Sequence, residues 1–80
     1  MIRWALHFDR EAVEVMYTIP AEIWRQIKPI VWALQDNPTP DSMQTDEENP
    51  SWYWLALPGD YMVTYEIVDE EHVIRIIDIE

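Results

Sequence analysis

The chain has 80 residues, with sixteen Asp and Glu against five Lys and Arg, no Cys, one Gly and a formal charge of −11. That length makes a single domain over residues 1–80, and a chain this short buries only about 60% of its unfolded surface, so it depends on dense apolar packing. The absence of cysteine excludes disulfides and thiolate metal sites and makes a reducing cytoplasm the expected compartment, while the acid excess argues against direct nucleic-acid binding, which draws on Lys and Arg to neutralise phosphates.

The opening Met-Ile-Arg-Trp lacks the succession of a signal peptide, and no apolar run approaches the ~20 residues of a membrane span, so no membrane association is expected. From Ile2 to Phe8 the residues alternate, with Trp4, Leu6 and Phe8 on one side, as in a strand with one buried face. Asp9 then stands where a helix N-cap belongs, with Glu11 in the first turn. Residues 10–19 fit two patterns. Val13, Met16 and Tyr17 have helical spacing, while Val13, Val15, Tyr17 and Ile19 alternate like a strand.

Pro20 opens the next segment as a first-turn proline, followed by Ile23, Trp24, Ile27, Ile30, Val31 and Leu34 at helical spacing. Pro29 removes one backbone hydrogen bond and should kink that helix near Arg25 and Gln26. Asp36-Asn37-Pro38 ends it, and residues 38–50, rich in Pro, Thr, Ser, Asp and Glu, read as a mobile surface loop. Three strand-like runs follow: Trp52 to Leu57, Tyr61 to Val68 and Val73 to Ile79, with turns at Pro58-Gly59 and Glu70-Glu71.

Two-residue turns pair Leu55 with Met62, Trp54 with Val63, Glu66 with Arg75 and Tyr65 with Ile76; the Glu66–Arg75 pair is favourable across strands. In that register Trp52, Trp54, Ala56, Tyr61, Val63, Tyr65, Ile67, Ile74 and Ile76 form the core face under the helices. The opposite face carries Tyr53, Leu55, Leu57, Met62, Thr64, Glu66, Val68, Val73, Arg75, Ile77 and Ile79, and a largely apolar open face marks a partner-binding surface, above all at Tyr53, Leu55, Leu57, Met62, Thr64, Arg75 and Ile77, unless the register is off by one or the long loop covers it.

Specific residues resemble the RelE/ParE toxin superfamily: Ile19-Pro20, Ala33-Leu34, Asp36-Asn37-Pro38 and, above all, "GDYMVTYEIVDEEHVIRI" from Gly59 to Ile76. The resemblance implies an α+β, two-layer β-α-α-β-β-β fold, with an antiparallel C-terminal meander packed against a helical hairpin and the first strand beside the last. It also selects helix for residues 10–19. The departures bear on function. The family's arginine after Gly-Asp-Tyr is Met62 here, and the arginines that usually precede the turn fall at Leu55 and Leu57, so the resemblance implies a basic face turned apolar. Ribonuclease members often carry a His-Arg-x-x-x-Tyr tail after the last strand; here Ile79-Glu80 offers no acid, base or phosphate ligand.

No other chemistry stands out. His72 beside Asp69, Glu70 and Glu71 reads as a solvated hairpin tip rather than a metal site, and pairs such as Glu11 with Glu14, or Asp60 with Glu66, read as surface charge. Arg25 and Lys28 are too few for an RNA platform. The acidic runs at 46–48 and 69–71 read as solvated loops or, alternatively, as an attraction for a basic segment of a small regulator.

The expected function is therefore that of a toxin-family protein of a bacterial toxin–antitoxin module. It would bind protein, either a small antitoxin or a second copy of itself, through the open sheet face. No catalytic residue, metal or cofactor is assigned. The alternatives are a translation-dependent mRNA endonuclease using His7, Arg75 or Tyr53, and a non-toxic dimerising adaptor.

Overall fold

The computed structural model describes residues 3–80, so Ile2, the expected start of the first strand, lies outside the described residues. Strand β1 (Ala5–Phe8) leads through Asp9 into helices α1 (Arg10–Met16) and α2 (Ala21–Trp32). A short 3-10 turn over Ala33–Gln35 follows, then β2 (Gln44–Thr45), β3 (Trp52–Ala56), β4 (Met62–Val68) and β5 (Val73–Ile79). The sheet order is β1-β5-β4-β3-β2, with β1 parallel to β5 and the other pairs antiparallel. This is the expected α+β fold, with one strand more than the sequence signalled.

Residues 10–16 are helical despite their mixed pattern. Ala12 is fully buried and Val15 and Met16 pack on the core, so burial of one helical stripe overrides β propensity. Asp9 precedes the helix as expected, but its side chain makes no capping hydrogen bond. Pro20 sits one position before α2 rather than in its first turn, and its carbonyl accepts from the amides of Ile23 and Trp24. Helix α2 runs unbroken through Pro29, with Ile27 and Val31 buried beneath it. Trp24 and Trp32 meet edge to face at 6.1 Å, Trp32 lies 5.4 Å from Phe8, and Lys28 caps the Trp32 ring, also at 5.4 Å.

Residues 38–50 are pinned rather than free. The Tyr65 hydroxyl donates to the Pro38 carbonyl at 2.9 Å, Met43 packs on the core, and Gln44–Thr45 pairs with β3 as the edge strand. The Asp46 carboxylate accepts from the amides of Glu48 and Asn49, which turns the chain back into β3. Met43, the buried Tyr65 and the edge-strand pairing together hold a polar loop.

Two local events set the faces of the sheet. The turn after β3 has three residues: Leu57 donates to Tyr61 across it at 2.8 Å, and Gly59 (φ 75°) and Asp60 (φ 63°) are both left-handed. Glycine adopts that conformation freely, and aspartate is among the few side chains that tolerate it. A methyl group on Gly59 would come within 2.8 Å of the Ile23 side chain, so the turn is wedged against α2. As a result Leu55 pairs with Val63, Tyr53 with Tyr65 and Trp54 with Thr64, one residue away from the two-residue-turn register. Strand periodicity is two, so this slip exchanges the faces of β3.

The second event is a bulge in β5. Val68, Ile67, Glu66 and Tyr65 pair with Val73, Ile74, Arg75 and Ile76 as expected, but Thr64 then meets Asp78 and Val63 meets Ile79. Ile77 is the extra residue, and Ile79, expected on the open face, turns into the core instead because the bulge shifts the alternation by one.

The core therefore comprises Leu55, Leu57, Val63, Tyr65, Ile74, Ile76 and Ile79 from the sheet, facing Ala12, Ile19, Ile27, Val31 and Leu34. Trp52, Trp54 and Ala56, expected in the core, lie on the other face, while Tyr53, Leu55 and Leu57, expected on the open face, lie inside. Leu55 is 4% exposed and Leu57 7%.

Candidate functional site

Among the described residues, no helix or strand covers the face of the sheet away from the helices. Its side chains fall into rows across the strands. Trp52, Glu66, Arg75 and His7 form one row, Trp54, Thr64 and Asp78 the next, and Ala56, Met62 and Glu80 the third. Met62 and Glu80 exchange both backbone hydrogen bonds at 2.7 and 2.8 Å, which extends the ladder to residue 80. Trp52, Trp54 and Met62 are half-buried, yet none packs against the core. They are apolar surface on a solvated face.

Of the residues expected at a partner-binding face, Met62, Thr64 and Arg75 lie on the side of the sheet away from the helices. Tyr53, Leu55 and Leu57 do not, for the reason of register given above. Ile77 occupies the bulge and lines a shallow cavity with His7, Phe8, Asp9, Arg10 and Glu11 at the start of α1. The reading that arginines are replaced by Leu55 and Leu57 on an open face therefore falls, because both positions are interior. Only the Met62 substitution lies on the open face.

The sequence reading missed Trp52 and Trp54, and it missed Asp9 and Asp78. The two faces of β3 are about equally apolar, so patterning could not tell Trp52-Trp54-Ala56 from Tyr53-Leu55-Leu57. The usable signal was Gly59-Asp60, a dipeptide in which both residues can be left-handed.

Arg75 is the charged centre of the face. Its Nε is buried and makes no hydrogen bond; Glu66 Oε1 lies 3.4 Å away and Asp9 Oδ2 3.8 Å. Asp9 also lies 3.8 Å from His7 Nε2, and its carboxylate faces these sheet residues rather than capping α1. At the far end of β5 the Glu80 carboxyl is pushed above the usual carboxylate range, first by a hydrogen bond with the Asp78 side chain and then by its charge. The carboxylates of Asp9, Glu66, Asp78 and Glu80 thus outweigh the Arg75 guanidinium.

The other basic side chains lie elsewhere. Arg3 makes a two-pronged contact with Asp36 at 2.9 and 3.2 Å, Arg10 lies 3.6 Å from Glu14, and Arg25 and Lys28 belong to α2 in the helical layer. His72 stacks on Trp4 with 4.0 Å between ring centroids. Among the described residues, no group of three or more His, Asp or Glu is placed to hold a metal ion, and no helix is long and apolar enough to cross a membrane.

Tyr65 lies beneath this face, in the core. Burial, aided by neighbouring Tyr53, pushes its hydroxyl up to about 12. That group ties β4 to the 38–50 loop and is structural.

The backbone carrying this face is similar to known structures. A chain of the intact E. coli RelBE toxin–antitoxin complex superposes with a TM-score of 0.84 at 21% identity, over 95% of this chain and 93% of that one. The isolated E. coli RelE toxin gives 0.82 at 21% identity, over 95% and 81%. The fold is that of the RelE toxins. A chain of the archaeal RelE–RelB complex from Pyrococcus horikoshii gives 0.80 at 20% identity, over 99% and 94%, so the RelE fold is matched end to end. No protein-family model and no curated protein matches the sequence. At these identities the likeness establishes the fold, and the chemistry must be argued from this chain's own residues.

Proposed function

We propose that this RelE-fold chain is the toxin-like member of a toxin–antitoxin pair and acts by binding protein rather than by cleaving RNA. Support for a small antitoxin partner comes from the fold, which is shared with the RelBE and RelE–RelB complexes. The observation that carries the protein-binding half is the charge on the open face. Arg75 lies between two carboxylates, while Asp78 and Glu80 form no ion pair among the described residues. Holding a phosphate and stabilising its developing charge requires free cationic groups. This face would repel the polyanion instead.

The adjacency of His7, Asp9 and Arg75 supports a second reading, a nuclease with a non-standard site, because it places an imidazole beside a guanidinium on an exposed surface. One experiment separates the two. The chain is co-expressed with the product of the neighbouring open reading frame, and the purified chain is incubated with translating ribosomes. The expected outcome is a stable complex with that product and intact mRNA. Cleavage that disappears in Arg75→Ala would establish the nuclease instead.

A further inference from the structure

We propose that the open sheet face seats a cationic peptide segment, with apolar side chains interspersed among its arginines or lysines, rather than a second copy of this chain or an RNA. The proposal rests on the protein-binding reading above and names the chemistry of the partner. It is argued from the side chains that the observed register brings out of the core.

Trp52 and Trp54 stand two residues apart on β3, with Glu66 and Thr64 directly across. Asp78 is opposite Thr64 on the other side, and Glu80 is opposite Met62. A peptide crossing the strands from β3 to β5 thus meets an aromatic plane and then a carboxylate. Arginine and lysine suit that sequence of contacts, because the cation is drawn to a tryptophan face and pairs with a carboxylate. Met62 offers adaptable apolar surface for a neighbouring aliphatic side chain.

Charge selects among possible occupants. The chain carries −11 overall, and on this face four carboxylates stand against Arg75, so two copies brought face to face would repel. An RNA backbone meets the same negative field.

The test uses the full chain and a synthetic peptide of about fifteen arginines and leucines, long enough to cross a sheet of this width. Binding is followed by tryptophan fluorescence and calorimetry, with peptides of the same length but neutral or acidic composition as controls. Binding of the cationic peptide alone is expected, weakening steeply as salt rises from about 50 to about 300 mM. The double variant Glu66→Gln/Asp78→Asn, shown to be folded by circular dichroism, should bind about tenfold more weakly. The distal double variant Glu47→Gln/Glu48→Gln removes the same charge from the 38–50 loop and should bind as the parent does. Trp54→Ala should also weaken binding, by about threefold.

Equal losses in the face and distal variants would reduce the effect to bulk acidity and overturn the proposal. Preference for the neutral peptide, or concentration-dependent dimers disrupted by Met62→Lys, would also overturn it. If the neighbouring gene product binds but is insensitive to the face variants, this inference fails while the toxin–antitoxin reading stands. If mRNA cleavage is observed, the protein-binding reading fails, and the peptide titration still reports separately on the face.

Discussion

The two faces of β3 have nearly the same apolar content and opposite fates. Tyr53, Leu55 and Leu57 lie under the helices, and Trp52, Trp54 and Ala56 face outward. The contrast teaches that composition does not assign a face in a small α+β domain. The turn that starts the hairpin does, because each added residue inverts the side-chain alternation. The inward set then contributes to stability, and the outward set is left facing solvent.

The largest expected effect breaks the comparison from inside. Leu55→Ala should cost roughly 2–5 kcal/mol, and Leu55→Lys should prevent folding, whereas Trp54→Ala should stay within about 1 kcal/mol. Urea unfolding of the three variants measures this, and equal costs at positions 54 and 55 would refute the observed register.

Next in size is Gly59→Ala. It forces a side chain into φ 75° and to within 2.8 Å of Ile23, so a loss of about 1–3 kcal/mol is expected. Its wild-type stability should return in part in Gly59→Ala/Ile23→Ala if the clash dominates, which a second denaturation series reads directly.

Tyr65→Phe deletes the hydroxyl that holds Pro38, with an expected loss of about 1 kcal/mol and faster amide exchange over residues 38–50. The same hydroxyl makes stability pH-dependent in the alkaline range. Its folded value is raised from 10.0 to about 12, so the contribution is complete below pH 10 and is lost as pH rises toward 12. Ultraviolet titration should show one late-ionising tyrosine, absent from Tyr65→Phe.

Arg10→Ala should have the smallest effect, within about 0.5 kcal/mol, since its contact with Glu14 is an exposed i,i+4 pair. A larger loss by thermal denaturation would mean that the exposed rim takes part in the packing.

Much of this molecule was legible before its structure. The strand at residues 5–8, the helix from Ala21, the three-strand meander and the Glu66–Arg75 pair follow from periodicity, proline position and charge. Residues 10–16 were not decided by pattern, because two periods fit equally well. The resemblance to a toxin superfamily selected helix, and the helix forms because Ala12 is buried against the sheet. Edge strand β2 was invisible in a polar loop, since only two polar residues, Gln44 and Thr45, form it, and the Tyr65 hydroxyl that helps to anchor the loop lies some twenty residues further along the chain.

The sequence by itself determined the three-strand meander and which residues are apolar enough to form a core. Tertiary structure decided which side of β3 and of the end of β5 is that core. The reason is geometric. Gly59 must pack against Ile23, which accommodates a three-residue turn with Asp60 left-handed, and Ile77 must bulge so that Ile79 can reach the interior. Each event displaces the alternation by one residue. Together they bury Leu55 and Leu57 and leave Trp52, Trp54, Met62 and Asp78 facing solvent.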